Sequence, residues 1–248
     1  TLGLPVVKTS HPSSVAGIPE GCRFAVSAAF GLWLPAKFIA LFPQGVLNVH
    51  PSLLPRHRGP CPVERAILEG DPETGVSFML TDSGWDTGPV VSAIRTPVGE
   101  GEDSGMLSSR LAELAAREMG GIIDGYLGGL LEPAPQSGEA SHADKLTDRE
   151  ALLDWSRPAG ELLRKVRAFA PTPGARTSFR GRLLKILAAA ASDSTIPAGS
   201  LAVRDGRLLA GCGEGSMELL RLQPESRKAM DGGAFLAGYR PLPGEPLG

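Results

Sequence analysis

The sequence predicts a chain in three parts: an α/β domain, a linker, and a small β-rich domain. Three observations carry this reading. Up to residue 131, short apolar runs bounded by Gly and Pro alternate with segments of helical spacing. Residues 133–148, PAPQSGEASHADKLTD, are rich in Pro, Ser, Gly and Ala and poor in apolar side chains, as an interdomain linker is. From residue 177 onward, strand-like runs follow one another closely across Gly-rich turns, the pattern of a small β-barrel.

The elements follow in order. The opening stretch TLGLPVVKTSHP reads as a short apolar segment already inside a fold. RFAVSAAF, residues 23–30, lies between Gly21 and Gly31 and reads as a buried strand. PAKFIALF, 35–42, starts on proline and has the spacing of one or two helical turns. GVLNV, 45–49, reads as a second buried strand, stopped by His50-Pro51. PVERAILE, 62–69, reads as a helix with Pro62 in its first turn and Gly70 as its stop. GVSFML, 75–80, and PVVSAIR, 89–95, form a hairpin across SGWDTG. Residues 104–131 keep helical spacing from Met106 to Ile123, with Ser104 as N-cap and Gly128-Gly129 as breakers. Beyond the linker, 158–169 reads as a short amphipathic helix. Strands then follow at Leu183–Leu187, Ser200–Val203, Leu208–Ala210 and Met217–Leu222.

Bulk properties narrow the class. Of 248 residues, 42% are hydrophobic and 21% charged, so a real core is expected rather than disorder. The formal net charge of −2 hides an asymmetry. Residues 1–150 hold 11 Lys+Arg and 18 Asp+Glu, whereas residues 151–248 hold 14 and 9. A basic half of this kind suits a nucleic-acid face, or is scatter in surface charge. Cys22, Cys61 and Cys212 are far apart and show no metal spacing, which fits a reducing compartment. No apolar run reaches the roughly 18 residues of a membrane span, no signal peptide is visible, and a monomer is expected.

The densest polar cluster in an apolar context is NVHPSLLPRHRG, 48–59. Asn48 and His50 are two apart at a strand end, so both point to one side, where open α/β sheets hold their ligands. An amide N–H beside an imidazole can grip a carbonyl oxygen that becomes an oxyanion. Equally, Asn48 can cap a turn and His50 can be a structural histidine. Asp86, between glycines in SGWDTG, is by itself a turn residue; near a histidine it can orient the ring or collect a proton.

The run NVHPSLLPRHRGPCPVERAILEGDPETGVSFMLTDSGWDTGPVV resembles the folate-dependent formyltransferases, in which Asn-x-His and S-L-L-P are paired with a later [LW]-D-[TS]-G loop. KLTDREALLDWSRPAGELLRKVRAFAPTPGARTSF and LLRLQPESRKAM are similar to the C-terminal domain of the methionyl-tRNA branch of that family. The glycinamide ribonucleotide branch shares the first motif but is single-domain. The resemblance spans Gly3 to about Arg240 and implies a Rossmann-like catalytic domain over 1–132, the linker at 133–148, and an OB-like, tRNA-binding barrel over 149–248. Family members open with roughly one further strand–helix–strand unit ahead of the position of Thr1, so the first domain is expected to be incomplete. Phe30 stands where Tyr is common and His57 where Trp is common, and Pro89 follows DTG.

The resemblance further implies a donor, 10-formyltetrahydrofolate, and an acceptor, the α-amino group of initiator methionyl-tRNA, with no metal. Asn48, and His50 if protonated, would donate to the oxyanion, while Asp86 raises the proton affinity of His50. The folate would lie beside Phe30, Gly31, Leu32, Ser52, Leu53, Leu54, Pro55, Leu80, Asp82 and Gly84. Candidates for tRNA contact are Arg56, Arg58, Arg164, Arg167, Lys185, Arg227 and Lys228. The compartment implied is bacterial cytoplasm, or mitochondrial matrix in a eukaryote. Two alternatives remain: a formyltransferase for a nucleotide or amino sugar, and an inactive RNA-binding relative.

Overall fold

The computed structural model describes residues 6–11, 18 and 20–248, so residues 1–5 and 12 of the apolar opening read at 1–12 lie outside the described residues. The chain divides into two compact units. The first comprises Thr1–Pro62, Glu73–Pro97 and Arg110–Asp144; the second comprises Val63–Pro72, Val98–Ser109 and Lys145–Gly248.

The first unit is built on a four-stranded mixed sheet in the order β1-β2-β3-β4. β1 (Ala25–Ala28) runs parallel to β2 (Val46–His50), joined through the short helix α1 (Ala36–Ile39). β3 (Glu73–Leu80) is antiparallel to β2 and makes the expected hairpin with β4 (Val90–Pro97). β2 and β3 are central, so Val46, Leu47, Val76, Phe78 and Met79 are buried. β1 departs from the expected buried strand: it alternates half-buried and exposed residues, and Val26 is 42% exposed. The reason is its place at the sheet edge among the described residues.

Between β2 and β3 in sequence lies α2 (Pro62–Glu69). The long helix α3 (Ser104–Leu127) follows β4 and ends where Gly129 takes φ +74°. Its cap is Asp103, not Ser104: the Asp103 carboxylate accepts from the Met106 N–H at 2.8 Å. Ser104 Oγ instead donates to the Ala170 carbonyl at 2.6 Å.

The second unit centres on α4 (Ala159–Phe169) and an antiparallel sheet. Leu162, Val166 and Phe169 put one helical face into its core. The sheet order is β5 (Ala175–Phe179), β6 (Arg182–Ser192), β9 (Ser216–Pro224), β8 (Arg207–Gly211), β7 (Leu201–Arg204), with β10 (Met230–Asp231) on β9. β6 outruns its expected end at Leu187, because the alanines that follow carry no β-branched signal yet pair with β9. The end helix α5 (Gly232–Tyr239) is unexpected in GGAFLAGY; it forms under an Asp231 cap at 2.7 Å, with Phe235 buried. β5 and β7 do not pair, so the sheet is not a barrel closed strand to strand. The C-terminal segment bonds near both edges, through Gly248 N to Ser178 O at 3.1 Å and Leu201 N to Glu245 O at 2.8 Å. No helix among the described residues is long and apolar enough to cross a membrane.

Candidate active site

β2 carries Asn48 and His50 on the same side, and the hairpin turn between β3 and β4 brings Asp86 to both. Asn48 Nδ2 donates to Asp86 Oδ1 at 3.4 Å, and His50 Nδ1 lies 3.7 Å from Asp86 Oδ2. Gly59 N donates to the same Oδ2 at 2.8 Å, so the carboxylate is oriented by backbone as well. Asp86 sits at φ +51°, a left-handed conformation that Asp tolerates better than most residues.

The turn has little slack. Asp82 Oδ1 accepts from Gly84 N at 2.9 Å and from Thr87 Oγ1 at 2.8 Å. A Cβ on Gly88 would stand 1.7 Å from the Leu80 carbonyl oxygen, so only glycine permits this close return of the chain.

Segment 133–144, read above as linker, is stitched onto the first unit. Ala134 exchanges two backbone hydrogen bonds with Val90, and Ala143 N donates to Arg58 O at 2.6 Å. Gln136 Nε2 donates to the carbonyls of Asp86 and Gly88, both at 2.8 Å, and its Oε1 accepts twice from Arg58. Gln136 thus positions the acid through its backbone.

His50 is 5% exposed. Its Nε2 is 2.9 Å from the His57 carbonyl, which can only accept, so Nε2 carries a proton. Burial pushes the His50 pKa below 6.5, outweighing the opposing pull of the Asp86 charge and the His57 carbonyl. The resting ring is therefore neutral, with its lone pair on Nδ1, on the side of Asp86.

Beside Asn48 and Asp86 is a cavity of about 50 Å³, walled by Phe30, Leu32, Trp33, Met79 and Trp85. Apolar aromatic walls ending at Asn48 and Asp86 suit a flat heterocycle with one polar end.

A formyl transferase family model matches residues 19–120, and the model of the formyl transferase C-terminal domain matches residues 145–240. A methionyl-tRNA formyltransferase of Myxococcus xanthus is 41% identical over 228 residues, covering 91% of this chain and 72% of the relative. The chain belongs to the methionyl-tRNA formyltransferase family. Another member, from Cereibacter sphaeroides, is 39% identical over 253 residues, covering 98% of this chain and 80% of its own. Among solved structures, HypX from Aquifex aeolicus in complex with tetrahydrofolic acid matches at TM-score 0.70 and 19% identity, over 88% of this chain and 39% of that one. Methionyl-tRNA formyltransferase from Clostridium thermocellum matches at TM-score 0.58 and 20% identity, over 71% and 75%. At these identities the solved structures speak for the fold.

Within this member of the family, Phe30, Leu32, Asp82 and Gly84 line the cavity, and Gly31 lies between two of them. Leu80 does not line it; its side chain lies against Gly45. Nor do Ser52, Leu53, Leu54 and Pro55, which build the turn after β2: Ser52 Oγ donates to Arg56 O, and Leu54 N donates to Ser77 Oγ. Of the basic candidates, Arg58 is held by Gln136, Arg164 donates to Leu68 O, and Arg167 donates to Gly99 O. Burial pushes the Arg167 pKa below its usual value, and the Arg164 charge adds to this. Arg56, Arg227 and Lys228 are exposed, and Lys185 is half-buried. Sequence reasoning did not single out Trp33, Trp85 or Gln136, while Thr81 lies within the Leu80–Gly84 strand and loop expected to form a wall. Trp85 adjoins the acid and was open to notice; a lone Gln in a polar segment carries no signal.

Proposed function

We propose that this chain transfers the formyl group of 10-formyltetrahydrofolate to the α-amino group of methionine on initiator tRNA, in translation initiation. The observation that carries the reading is the convergence of Asn48 and His50 on Asp86, with Asn48 and Asp86 lining an aromatic cavity, in a chain of this family. The amine nitrogen attacks the formyl carbon, whose oxygen becomes an oxyanion. Asn48 keeps one amide N–H on Asp86 and offers the other to that oxygen. Neutral His50 has its only N–H on His57, so it serves as the proton acceptor at Nδ1 rather than as a second oxyanion donor. Asp86 stabilises the imidazolium that forms. The carbon–N10 bond then breaks, and N10 takes up the proton.

The second unit is read as an OB-like, tRNA-binding domain, its sheet edges bridged by the C-terminal segment. Exposed Arg56, Arg227 and Lys228, with Lys185, are the phosphate contacts of this reading. Residues 1–132 and 149–248 stay its working domain bounds. All three catalytic groups come from one chain, so a monomer suffices. Bacterial relatives favour a bacterial cytoplasm. The test is transfer of labelled formyl from 10-formyltetrahydrofolate to methionyl-tRNA, free methionine or an amino sugar. Labelling of methionyl-tRNA alone is expected; preferential labelling of the sugar would overturn the acceptor.

A further inference from the structure

His50 has a partner on each side of its ring. Asp86 faces Nδ1, and the His57 carbonyl accepts from Nε2 at 2.9 Å. The second contact decides which nitrogen keeps the lone pair. It is only as steady as the peptide that carries the carbonyl. That peptide lies in a turn, not in a helix or strand, with His57 at φ +57° and Gly59 at φ +114°.

The backbone donors of the turn show what holds it. His57 N donates to Ser141 Oγ at 2.9 Å, and Arg58 N donates to the Ser141 carbonyl at 2.9 Å. Cys61 N donates to the Ala143 carbonyl at 3.1 Å, while Gly59 N goes to Asp86 and Pro60 has no N–H. In return, Ser141 N donates to the Pro55 carbonyl at 3.2 Å. Both stretches belong to the first unit. Ser141 therefore holds both peptide planes that flank His57. Its hydroxyl takes the N–H before that residue, and its carbonyl takes the N–H after it. In a trans peptide the C=O points opposite to the N–H. Holding the Arg58 N–H on one side thus aims the His57 carbonyl to the other, where His50 lies.

We infer that Ser141 is a positioning residue for the formyl transfer: it clamps the two peptide planes around His57, so that the His57 carbonyl keeps the His50 proton on Nε2 and leaves the Nδ1 lone pair on the side of Asp86. The inference rests on His50 being the proton acceptor, as proposed above. With Gln136 on the Asp86 carbonyl, one stretch of chain then sets both neighbours of the imidazole. Without the Ser141 hydroxyl the turn relaxes, the carbonyl leaves Nε2, and the ring can carry its proton on Nδ1 against Asp86 instead.

The test is ¹⁵N NMR of labelled histidine, run beside methionyl-tRNA formylation, on wild type, Ser141→Ala and Ser141→Thr. The chain has four histidines, so His50→Ala suffices to assign the His50 signals. Wild type should carry the His50 proton on Nε2. Ser141→Ala keeps the backbone bonds of residue 141 and should populate the Nδ1–H form. Its kcat should fall about fivefold, the worth of one ordinary hydrogen bond, with the KM values for donor and methionyl-tRNA within about twofold. Ser141→Thr keeps the hydroxyl and should restore both the tautomer and kcat. A lower melting temperature and kcat with the tautomer unchanged would mean a merely structural role and overturn the clamp, as would an unchanged kcat. A shifted tautomer in a protein whose wild type does not formylate methionyl-tRNA keeps the clamp and removes the proposed function. A wild type with the His50 proton already on Nδ1 removes both the clamp and the assignment of the base.

Discussion

Two cavities in this protein make opposite use of polar side chains. The one beside Asn48 holds about 50 Å³, and next to it Asn48, His50 and Gly59 N meet the Asp86 carboxylate. The one in the second unit holds about 740 Å³ and is lined by Arg164, Arg167 and the Ala188–Ala191 run. There the two guanidinium groups donate to backbone carbonyls, of Leu68 and Gly99. Volume is therefore a poor guide to chemistry. On the proposed reading, what marks the reactive site is a buried imidazole beside an acid held by a backbone donor, which together set a proton's position.

The contrast can be broken at several points. The largest effect is expected at the small cavity: Asn48→Ala or His50→Ala should lower kcat by about 10²–10³, as loss of one positioned group does, with the fold retained by circular dichroism. An effect below tenfold in steady-state formylation would mean that convergence there is structural.

The acid side of the pH profile sharpens the same point. The folded-state pKa of His50 lies below 6.5, so the unfolded chain binds the extra proton first as pH falls. Stability tied to His50 is complete above about pH 6.5 and declines as pH drops towards the folded pKa. The rate should fall in the same direction, since protonation removes the base. Wild type should lose melting temperature between pH 6.5 and 5 in excess of His50→Ala, and calorimetry across that range checks it.

Gln136→Ala comes next. It frees the carbonyls of Asp86 and Gly88 and releases Arg58. We expect kcat to fall about tenfold and stability by about 1–3 kcal/mol, with the KM for tRNA little changed. Equal activity would show that the turn holds Asp86 unaided.

The smallest effects belong to the dispersed charges. Arg227→Ala and Lys228→Ala should each weaken tRNA binding only a few-fold and lower the salt slope of log K by about 1. Filter binding at several salt concentrations would show it, with folate affinity unchanged. A loss near a thousandfold from either would contradict the picture of dispersed contacts.

Much of this was legible in advance for a local reason. Asn48 and His50 share a side because strand residues two apart must. The hairpin followed from two apolar runs across SGWDTG, and the helix 62–69 from Pro62 and Gly70. The unexpected elements had weak local signals overridden by partners: Ala188–Ala191 extend β6 only because β9 lies beside them, and GGAFLAGY becomes α5 through the Asp231 cap. Likewise Gln136 lay in a stretch whose composition reads as tether, yet its backbone finds its hydrogen bonds on the first unit.

By itself, the sequence determined most of the order of elements, the family resemblance and the candidate set Asn48, His50 and Asp86. These depend on periodicity, turn residues and a long ordered motif, all of which act within one stretch of chain. The tertiary structure decided what those groups can do. It put His50 in a dry environment with its one N–H on His57, an arrangement that on the proposed mechanism suits a base rather than a donor. It also spent Arg58, Arg164 and Arg167 on internal partners, and it brought Trp33 to Trp85. Protonation state, availability of a charge and the width of a cavity depend on which distant atoms crowd a group, and that is settled only when the chain has packed.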